Sequence, residues 1–234
     1  MELKQELKQL AQHRGAVKCG VANLTDVQDF VTAQGGQYLS EFPRAVVIGF
    51  PLLRGIVKSL NQQPSKQDLN SYDFHAYEVL NRKLDYLAYD LAAVIEQSSF
   101  NAYTIAASKQ IDDRNFKGVF SHKLAVNLSG TGWIGKSCLA VTEDYGPRIR
   151  WATVMTDAPL EADGPVLEDG CRNCRVCKEA CPVNALVGNH WDPQQSRQHL
   201  LDAAKCQEYR EGLKHEIGVR TCGLCMSKCP KGGK

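Results

Sequence analysis

Cys171-Arg-Asn-Cys174-Arg-Val-Cys177-Lys-Glu-Ala-Cys181-Pro182, followed by a lone Cys206 and then by Cys222-Gly-Leu-Cys225-Met-Ser-Lys-Cys229-Pro230, decides how the last quarter of the chain folds. Two residues between successive cysteines let a tight loop aim its thiolates into one concave pocket, where backbone N–H groups can donate to inorganic sulfide. Three thiolates grip one cluster. The fourth lies three residues on, before a proline that ends the loop, and in the bacterial two-cluster pattern it ligates the other cluster. The spacing therefore predicts one [4Fe-4S] cluster on Cys171, Cys174, Cys177 and Cys229 and a second on Cys181, Cys206, Cys222 and Cys225. A protein with such a pair moves single electrons.

Two other uses of these cysteines compete with this one. Thiolate quartets also suit tetrahedral zinc, and paired C-x2-C units are its usual signature. The uninterrupted run to Cys181-Pro182 argues against zinc, which seldom needs four thiolates packed so tightly. A disulfide framework fits less well, because the spacings are short and no apolar signal segment precedes them. The expected compartment is reducing, and so cytoplasmic.

The 234 residues are 43% hydrophobic, enough to bury a real core. About 160 residues upstream of the cysteines amount to one domain of ordinary size, with the cysteine module appended. A formal charge of +2, from 28 basic and 26 acidic residues, gives no general drive toward nucleic acid or anionic lipid. No apolar run approaches the length of about 18 needed to span a bilayer. A soluble protein with neither membrane nor nucleic-acid partner is expected.

Element types alternate in the upstream part. Leu3, Leu7, Leu10 and Ala11 mark one face of an opening helix, Gly15 to Leu24 reads as a strand or short element, and Ala45 to Phe50 as a buried strand. Asn61 to Asn70, rich in Gln, Asn and Pro, reads as a loop. Leu80, Leu84, Leu87, Leu91, Val94 and Ile95 recur at spacings of three and four, with Arg82, Lys83, Asp85, Asp90 and Glu96 mostly off that line, which predicts a long amphipathic helix. Tyr103 to Ala106 reads as a strand and Ser121 to Leu128 as a short helix. Ser137 to Thr142 and Arg148 to Met155 read as a strand pair around Tyr145-Gly146-Pro147. The cluster of Pro159, Asp163, Gly164 and Pro165 marks a boundary, which gives domains at 1–162 and 163–234. Asp192 before Pro193 predicts the start of a helix leading to Cys206. The upstream domain is thus of α/β layered class.

Gly130-Thr-Gly132-Trp-Ile-Gly135-Lys136-Ser137 satisfies both G-x-x-x-x-G-K-S and G-x-G-x-x-G. Either pattern binds phosphate only when the loop runs from a strand into a helix whose N-terminal amides face the anion. Here the downstream residues are β-like and are broken by Gly146-Pro147, so a nucleotide site is not expected.

Ser121-His-Lys-Leu-Ala-Val-Asn-Leu-Ser-Gly-Thr-Gly-Trp-Ile-Gly-Lys136, then Tyr145-Gly-Pro-Arg148, Met155-Thr-Asp-Ala-Pro-Leu160 and the cysteine run, resembles the epoxyqueuosine reductase and reductive dehalogenase superfamily from about Val119 to Pro230. The resemblance implies a nitroreductase-like α/β domain that holds a cobalamin, fused to a ferredoxin-like α+β module that feeds it electrons. It also implies cofactor contacts at Ser121, His122, Lys123, Gly130, Gly132, Trp133, Ile134, Gly135, Lys136, Thr156 and Asp157, with the glycines letting backbone approach the corrin or its nucleotide tail. Epoxyqueuosine reductases carry a proton-donating aspartate shortly before the Gly-Trp-Ile-Gly loop. Counting back the same distance lands near Phe116 or Lys117, so Asp113, beside Asp112, and His122 become the catalytic candidates. The family's helical repeat region, which helps bind tRNA, would lie beyond Cys229, where this chain runs on for five residues. A small substrate is expected instead of tRNA.

An axial donor below cobalt raises the energy of the electron-accepting orbital. The pattern Asp-x-His-x-x-Gly that would supply one is absent, since Asp73-Phe-His75 is followed by Ala-Tyr-Glu. A corrinoid cobalt without an axial donor beside two low-potential clusters would make a self-contained reducing unit. The expectation is a cytoplasmic oxidoreductase fed by an external low-potential donor such as ferredoxin or flavodoxin. The alternatives are an electron-transfer protein or reductive activator for a partner corrinoid protein, and a redox-sensing or structural cluster protein. Cys19 and Cys138 read as buried small residues, and Tyr72, Phe74, Tyr77 and Tyr86 as helix packing.

Overall fold

A computed structural model of the chain describes residues 2–60, 63–112 and 116–232. In chain order the elements are α1 (Leu3–His13), β1 (Lys18–Asn23), α2 (Gln28–Gly35), β2 (Arg44–Pro51), α3 (Arg54–Ser59), α4 (Lys66–Asp73) and α5 (Leu80–Gln97). There follow β3 (Ala102–Ile105), α6 (His122–Leu128), β4 (Trp133–Ile134), β5 (Ala140–Val141), β6 (Ile149–Thr156), α7 (Val176–Glu179), α8 (Ala203–Ile217) and α9 (Leu224–Ser227). A single π-helical stretch, Phe74–Val79, joins α4 to α5.

These elements form two compact units that interleave along the sequence. One takes Met1–Pro51, Leu80–Gly132 and Arg150–Leu167, and the other Leu52–Val79, Trp133–Ile149 and Glu168–Lys234. The units do not coincide with a single cut at 162/163.

The first unit is built on a four-stranded sheet of order β1-β2-β6-β3. β1 and β2 run antiparallel from Lys18↔Gly49 to Asn23↔Arg44, and β3 and β6 antiparallel from Ala102↔Thr156 to Ile105↔Thr153. Ala45, Val46, Val47, Ile48 and Phe50 are all buried, so β2 is covered on both faces, as its unbroken apolar run requires. β1 shows what covers them. Cys19 lies near Lys8 of α1, whereas a Cβ on the adjacent Gly20 would strike Thr131 and Ser129, just beyond α6. Successive strand residues point to opposite faces, so α1 and the end of α6 lie on opposite sides of the sheet. The result is a layered α/β unit.

The helical stripe of α5 faces inward as its spacing predicts, with Leu80, Leu84, Leu87, Leu91 and Ile95 buried. Each such side chain contributes roughly 1.5–3 kcal/mol relative to exposure. Asp163 closes the unit: it accepts from Lys8 at 2.7 Å and from the Val21 N–H at 2.9 Å, and pairs with Lys4 at 2.9 Å. Burial alone would raise its carboxyl, but these donors outweigh burial and hold it below the usual range.

Several sequence expectations are corrected. Within Asn61 to Asn70, Asn61 and Gln62 lie outside the described residues, and Lys66 onward is not loop but α4. Ser65 and Asp68 form a capping box that starts it, a signal present in the sequence as Ser-x-x-Asp. Ser137 to Thr142 and Arg148 to Met155 do not pair with each other: Ala140–Val141 pairs with Trp133–Ile134, and β6 pairs with β3. The helix before Cys206 starts at Asp202, whose side chain accepts from the Lys205 N–H at 3.0 Å. Asp192 instead closes a turn by accepting from the Gln194 N–H at 2.9 Å. Tyr72 is buried and meets Tyr77 edge-on at 6.4 Å, but Phe74 and Tyr86 are 63% and 71% exposed and pack no core.

Candidate functional site

The second unit gathers the eight cysteines into two groups. Cys171 opens a turn in which the Cys174 N–H donates to its carbonyl at 2.9 Å, Cys177 rides on α7, and Cys229 follows α9, its N–H donating to the Met226 carbonyl at 3.2 Å. Burial first, and then the negative charge of Cys171, Cys177 and Cys174, pushes the Cys229 thiol up to about 11. Cys177 is likewise raised by burial and by Cys171 and Cys174. The other group comprises Cys206 in α8, Cys222, Cys225 in α9, and Cys181. Burial raises the thiols of Cys206 and Cys222, and Cys181 adds to both. Each group thus holds three cysteines of one stretch and one of the other, and α7, which carries Cys177, packs against α9, which carries Cys225.

The first group surrounds a hollow of about 390 Å³ whose walls include Lys136, Val141, Gly170 and Lys231. Among the described residues no three His, Cys, Asp or Glu side chains converge closely enough to hold a single metal ion. Thiols spread around a hollow suit a multi-iron cluster. A tetrahedral zinc ion would draw four sulfurs together around one point.

The Gly-Trp-Ile-Gly-Lys segment forms one wall of this hollow. Trp133↔Val141 and Ile134↔Ala140 make it a hairpin, closed by the Gly135 N–H on the Leu139 carbonyl at 2.9 Å. It leads into a strand, so the helix a phosphate loop needs is not there. A Cβ on Gly135 would lie 2.7 Å from Val141 and 3.3 Å from the Cys171 sulfur, and one on Gly170 would lie 2.8 Å from the Trp133 ring. Glycine lets the hairpin and the cysteine loop touch. Lys136, at the hairpin tip, is buried, and its ammonium donates to the Arg172 carbonyl.

The remaining candidates lie in the first unit. Ser121 is the N-cap residue of α6, its carbonyl accepting from the Leu124 N–H at 2.9 Å, and Lys123 stands in the first turn. His122 bonds the Thr153 hydroxyl through Nδ1 at 2.8 Å and the Ala106 carbonyl through Nε2 at 3.1 Å. Burial lowers its pKa to about 4. A neutral ring with Nε2–H donating to Ala106 and Nδ1 accepting from Thr153 satisfies both contacts. Thr156 donates to the Asn101 carbonyl at 2.7 Å, and Asp157 accepts from the Asn101 backbone and side-chain amides at 2.8 and 2.6 Å. Gly130 has φ +64°, and a Cβ there would lie 2.6 Å from the Pro165 carbonyl oxygen. Gly132 donates to the Val126 carbonyl at 3.3 Å. Asp113 lies outside the described residues. Cys138 is buried, and the half-buried Cys19 has its thiol pushed up to about 12 by burial, so Cys19 is not an activated thiolate.

Sequence reasoning missed two groups. Asp169 accepts from the Cys171 N–H at 2.7 Å and bonds His190, so it pins the cysteine loop. An aspartate two residues ahead of a turn is the available signal. Arg148 is buried, with burial lowering its pKa, and donates to the Leu52 carbonyl at 3.0 Å and the Gly232 carbonyl at 3.2 Å.

No family model matches the chain. Among curated proteins, the epoxyqueuosine reductase of Bacillus subtilis (strain 168) is 30% identical over 168 residues, 68% of this chain and 38% of that protein. That of Staphylococcus aureus (strain NCTC 8325 / PS 47) is 27% identical over 196 residues, 80% of this chain and 47% of its own length. The chain therefore spans less than half of these relatives. Among solved structures, a catabolic reductive dehalogenase in complex with 3-bromo-4-hydroxybenzoic acid superposes at TM-score 0.70 with 20% identity, covering 97% of this chain and 31% of that one. The epoxyqueuosine reductase of Streptococcus thermophilus superposes at 0.63 with 20% identity, covering 100% and 67%. Fold relatives and the strand and helix order together define a mixed α/β protein. In sequence the chain is similar to epoxyqueuosine reductases, and it shares its fold with them and with a reductive dehalogenase.

Proposed function

We propose that this chain is an iron-sulfur oxidoreductase that binds two [4Fe-4S] clusters, one on Cys171, Cys174, Cys177 and Cys229 and one on Cys181, Cys206, Cys222 and Cys225. The observation that carries the proposal is that Cys229 lies with Cys171, Cys174 and Cys177 around one hollow, while Cys181 lies near Cys206 and Cys222. Bound clusters would supply one-electron steps at low potential. The chain's own residues do the rest: Asp169 holds the first loop in shape, Gly135 and Gly170 admit the hairpin, and Lys136 and Lys231 set positive charge beside the thiolates. An external low-potential donor such as ferredoxin or flavodoxin would feed the clusters, in a cytoplasmic setting that keeps the thiols reduced. No helix among the described residues is long and apolar enough to cross a membrane.

The acceptor in this proposal is a corrinoid held by residues 1–162 in a nitroreductase-like fold, acting on a small substrate, with 163–234 as the ferredoxin-like electron module. Support comes from relatives, one of them described by its B12-dependent dehalogenation, and from the near-neutral charge, which offers no broad footprint for tRNA. A related epoxyqueuosine reductase has been solved with a tRNA stem loop, so tRNA is the acceptor to compare. The side chains of His122, Thr156 and Asp157 fit a corrinoid poorly, because each is engaged within the fold. That engagement favours a second reading, in which the chain passes electrons to a corrinoid carried by a partner protein. His122 then acts as a positioning residue between α6 and β6, and Asp113 is the proton-donor candidate.

Anaerobic purification with cobalamin present during expression, followed by metal analysis, tests this. About eight iron per chain is expected under both readings. Stoichiometric cobalt selects the first. Iron without cobalt, together with reduction of an added corrinoid protein, selects the second.

A further inference from the structure

Beside the cysteine hollow lies a second, larger one of about 630 Å³, formed by the hairpin tip, the first cysteine loop and the segment between the two cysteine groups. Nothing in the electron-transfer account uses it. Its lining is cationic: Lys136 and Arg175 carry fixed positive charge, and His190 and His199 add two imidazoles. Lys178 stands close by, near enough that a Cβ on Gly188 would lie 3.0 Å from its Cδ.

Among the described residues a single acid lines the hollow, Asp192, and one of its oxygens already closes a turn with the Gln194 N–H. Nearby Asp169 is engaged by His190 and by the Cys171 N–H. The sharpest observation is Lys136. Its side chain is 95% buried, it donates to one neutral carbonyl, and no carboxylate pairs with it among the described residues. A buried ammonium is costly without opposite charge; the first cysteine group, whose hollow it also lines, supplies part of that charge, and an anion in this second hollow would supply the rest.

The hollow is also built in advance. Ile134 and Cys138 of the hairpin region pack with Leu200, Trp191 and Leu201, which anchors the intervening segment. The side-chain amide of Asn189 donates to the His199 carbonyl at 3.1 Å and lies 3.4 Å from its Nδ1, tying the two arms together. When Nδ1 accepts, the ring proton sits on Nε2 and is free to donate.

We infer that this hollow binds a small multivalent oxyanion, of the phosphate or polycarboxylate class, between Lys136, Arg175, His190 and His199. An anion of either kind offers several oxygens to donors converging from different segments, and fixed opposite charge strengthens each bond. Because Lys136 also lines the cysteine hollow, the bound anion shares that ammonium's charge with the first thiolate group. The inference does not depend on a corrinoid or on any acceptor.

Calorimetric titration of the anaerobically purified, cluster-loaded protein with inorganic pyrophosphate and, separately, with citrate tests it. Saturable 1:1 binding of at least one probe, weakened by added salt, is expected. Arg175→Glu should weaken it about tenfold or more, while Lys214→Glu, an exposed charge on α8, should leave it within about twofold. Pyrophosphate alone binding assigns a phosphate ligand, and citrate alone a polycarboxylate. If Arg175→Glu loses iron, His199→Glu, outside the cysteine loops, carries the same expectation. Failure of both probes to bind, or equal weakening by the pocket and control substitutions, overturns the inference.

Discussion

At the scale of single residues, the exchanged cysteines make the most specific statement. If Cys229 belongs with Cys171 and Cys181 with Cys206, double substitutions within one group should cost no more than single ones. Cys171→Ser with Cys229→Ser should leave about four iron per chain, whereas Cys171→Ser with Cys206→Ser should leave almost none. The opposite pattern would assign Cys229 to the other cluster. The approach of Cys229 to the first cysteine run was legible from spacing, because short spacings constrain a loop so tightly. His122 was not: the residue type suggested proton transfer, but only the fold reveals that both ring nitrogens are bonded to Thr153 and Ala106. Its pKa is lowered by burial to about 4, below the unfolded value near 6.5. Its contribution to stability is therefore complete above pH 6.5 or so, falls as pH drops from there toward about 4, and then levels. Denaturant unfolding across that range should show the loss, and His122→Gln should remove its part of the slope.

At the scale of elements, periodicity read α5 correctly because a long stripe of Leu at helical spacing has one stable outcome. Leu91→Ala should cost about 3 kcal/mol of stability, measured by urea unfolding, since Leu91 is fully buried. α4 escaped notice because its composition is polar and its start rests on a cap. Replacing Ser65 by Ala removes the hydroxyl that accepts from the Asp68 N–H and should cost about 1 kcal/mol. Helicity of the segment by hydrogen exchange would report it directly. The mispaired strands have a different cause. Short strands such as Ala140–Val141 carry too little pattern to choose a partner, and the chain folds them back on Trp133–Ile134 only two residues long. The helix start at Asp202 was hidden by a better-looking cap at Asp192, whose carboxylate closes a turn.

At the scale of the whole chain, packing divides the sequence where composition does not. The stretch Pro159 to Pro165 looks like a linker, yet Asp163 is tied to Lys4, Lys8 and Val21, and belongs to the sheet unit. Such long-range ties leave no local trace in sequence. Asp163→Asn should destabilise the chain by about 1–2 kcal/mol at neutral pH, as expected for loss of a charged hydrogen-bond acceptor. With its folded pKa depressed, the stabilisation is present above the unfolded value near 3.9 and vanishes as pH falls through the folded one. The layered sheet and the cysteine unit both agree with the fold shared with these relatives, and the proposed chemistry requires that the cysteines hold iron-sulfur clusters. The most direct measurement is iron, acid-labile sulfide and zinc content of anaerobically purified protein, with electron paramagnetic resonance after reduction by dithionite. About eight iron and eight sulfide per chain are expected, with signals of reduced [4Fe-4S] centres. About two zinc ions per chain, with neither iron nor sulfide after anaerobic reconstitution, would contradict it.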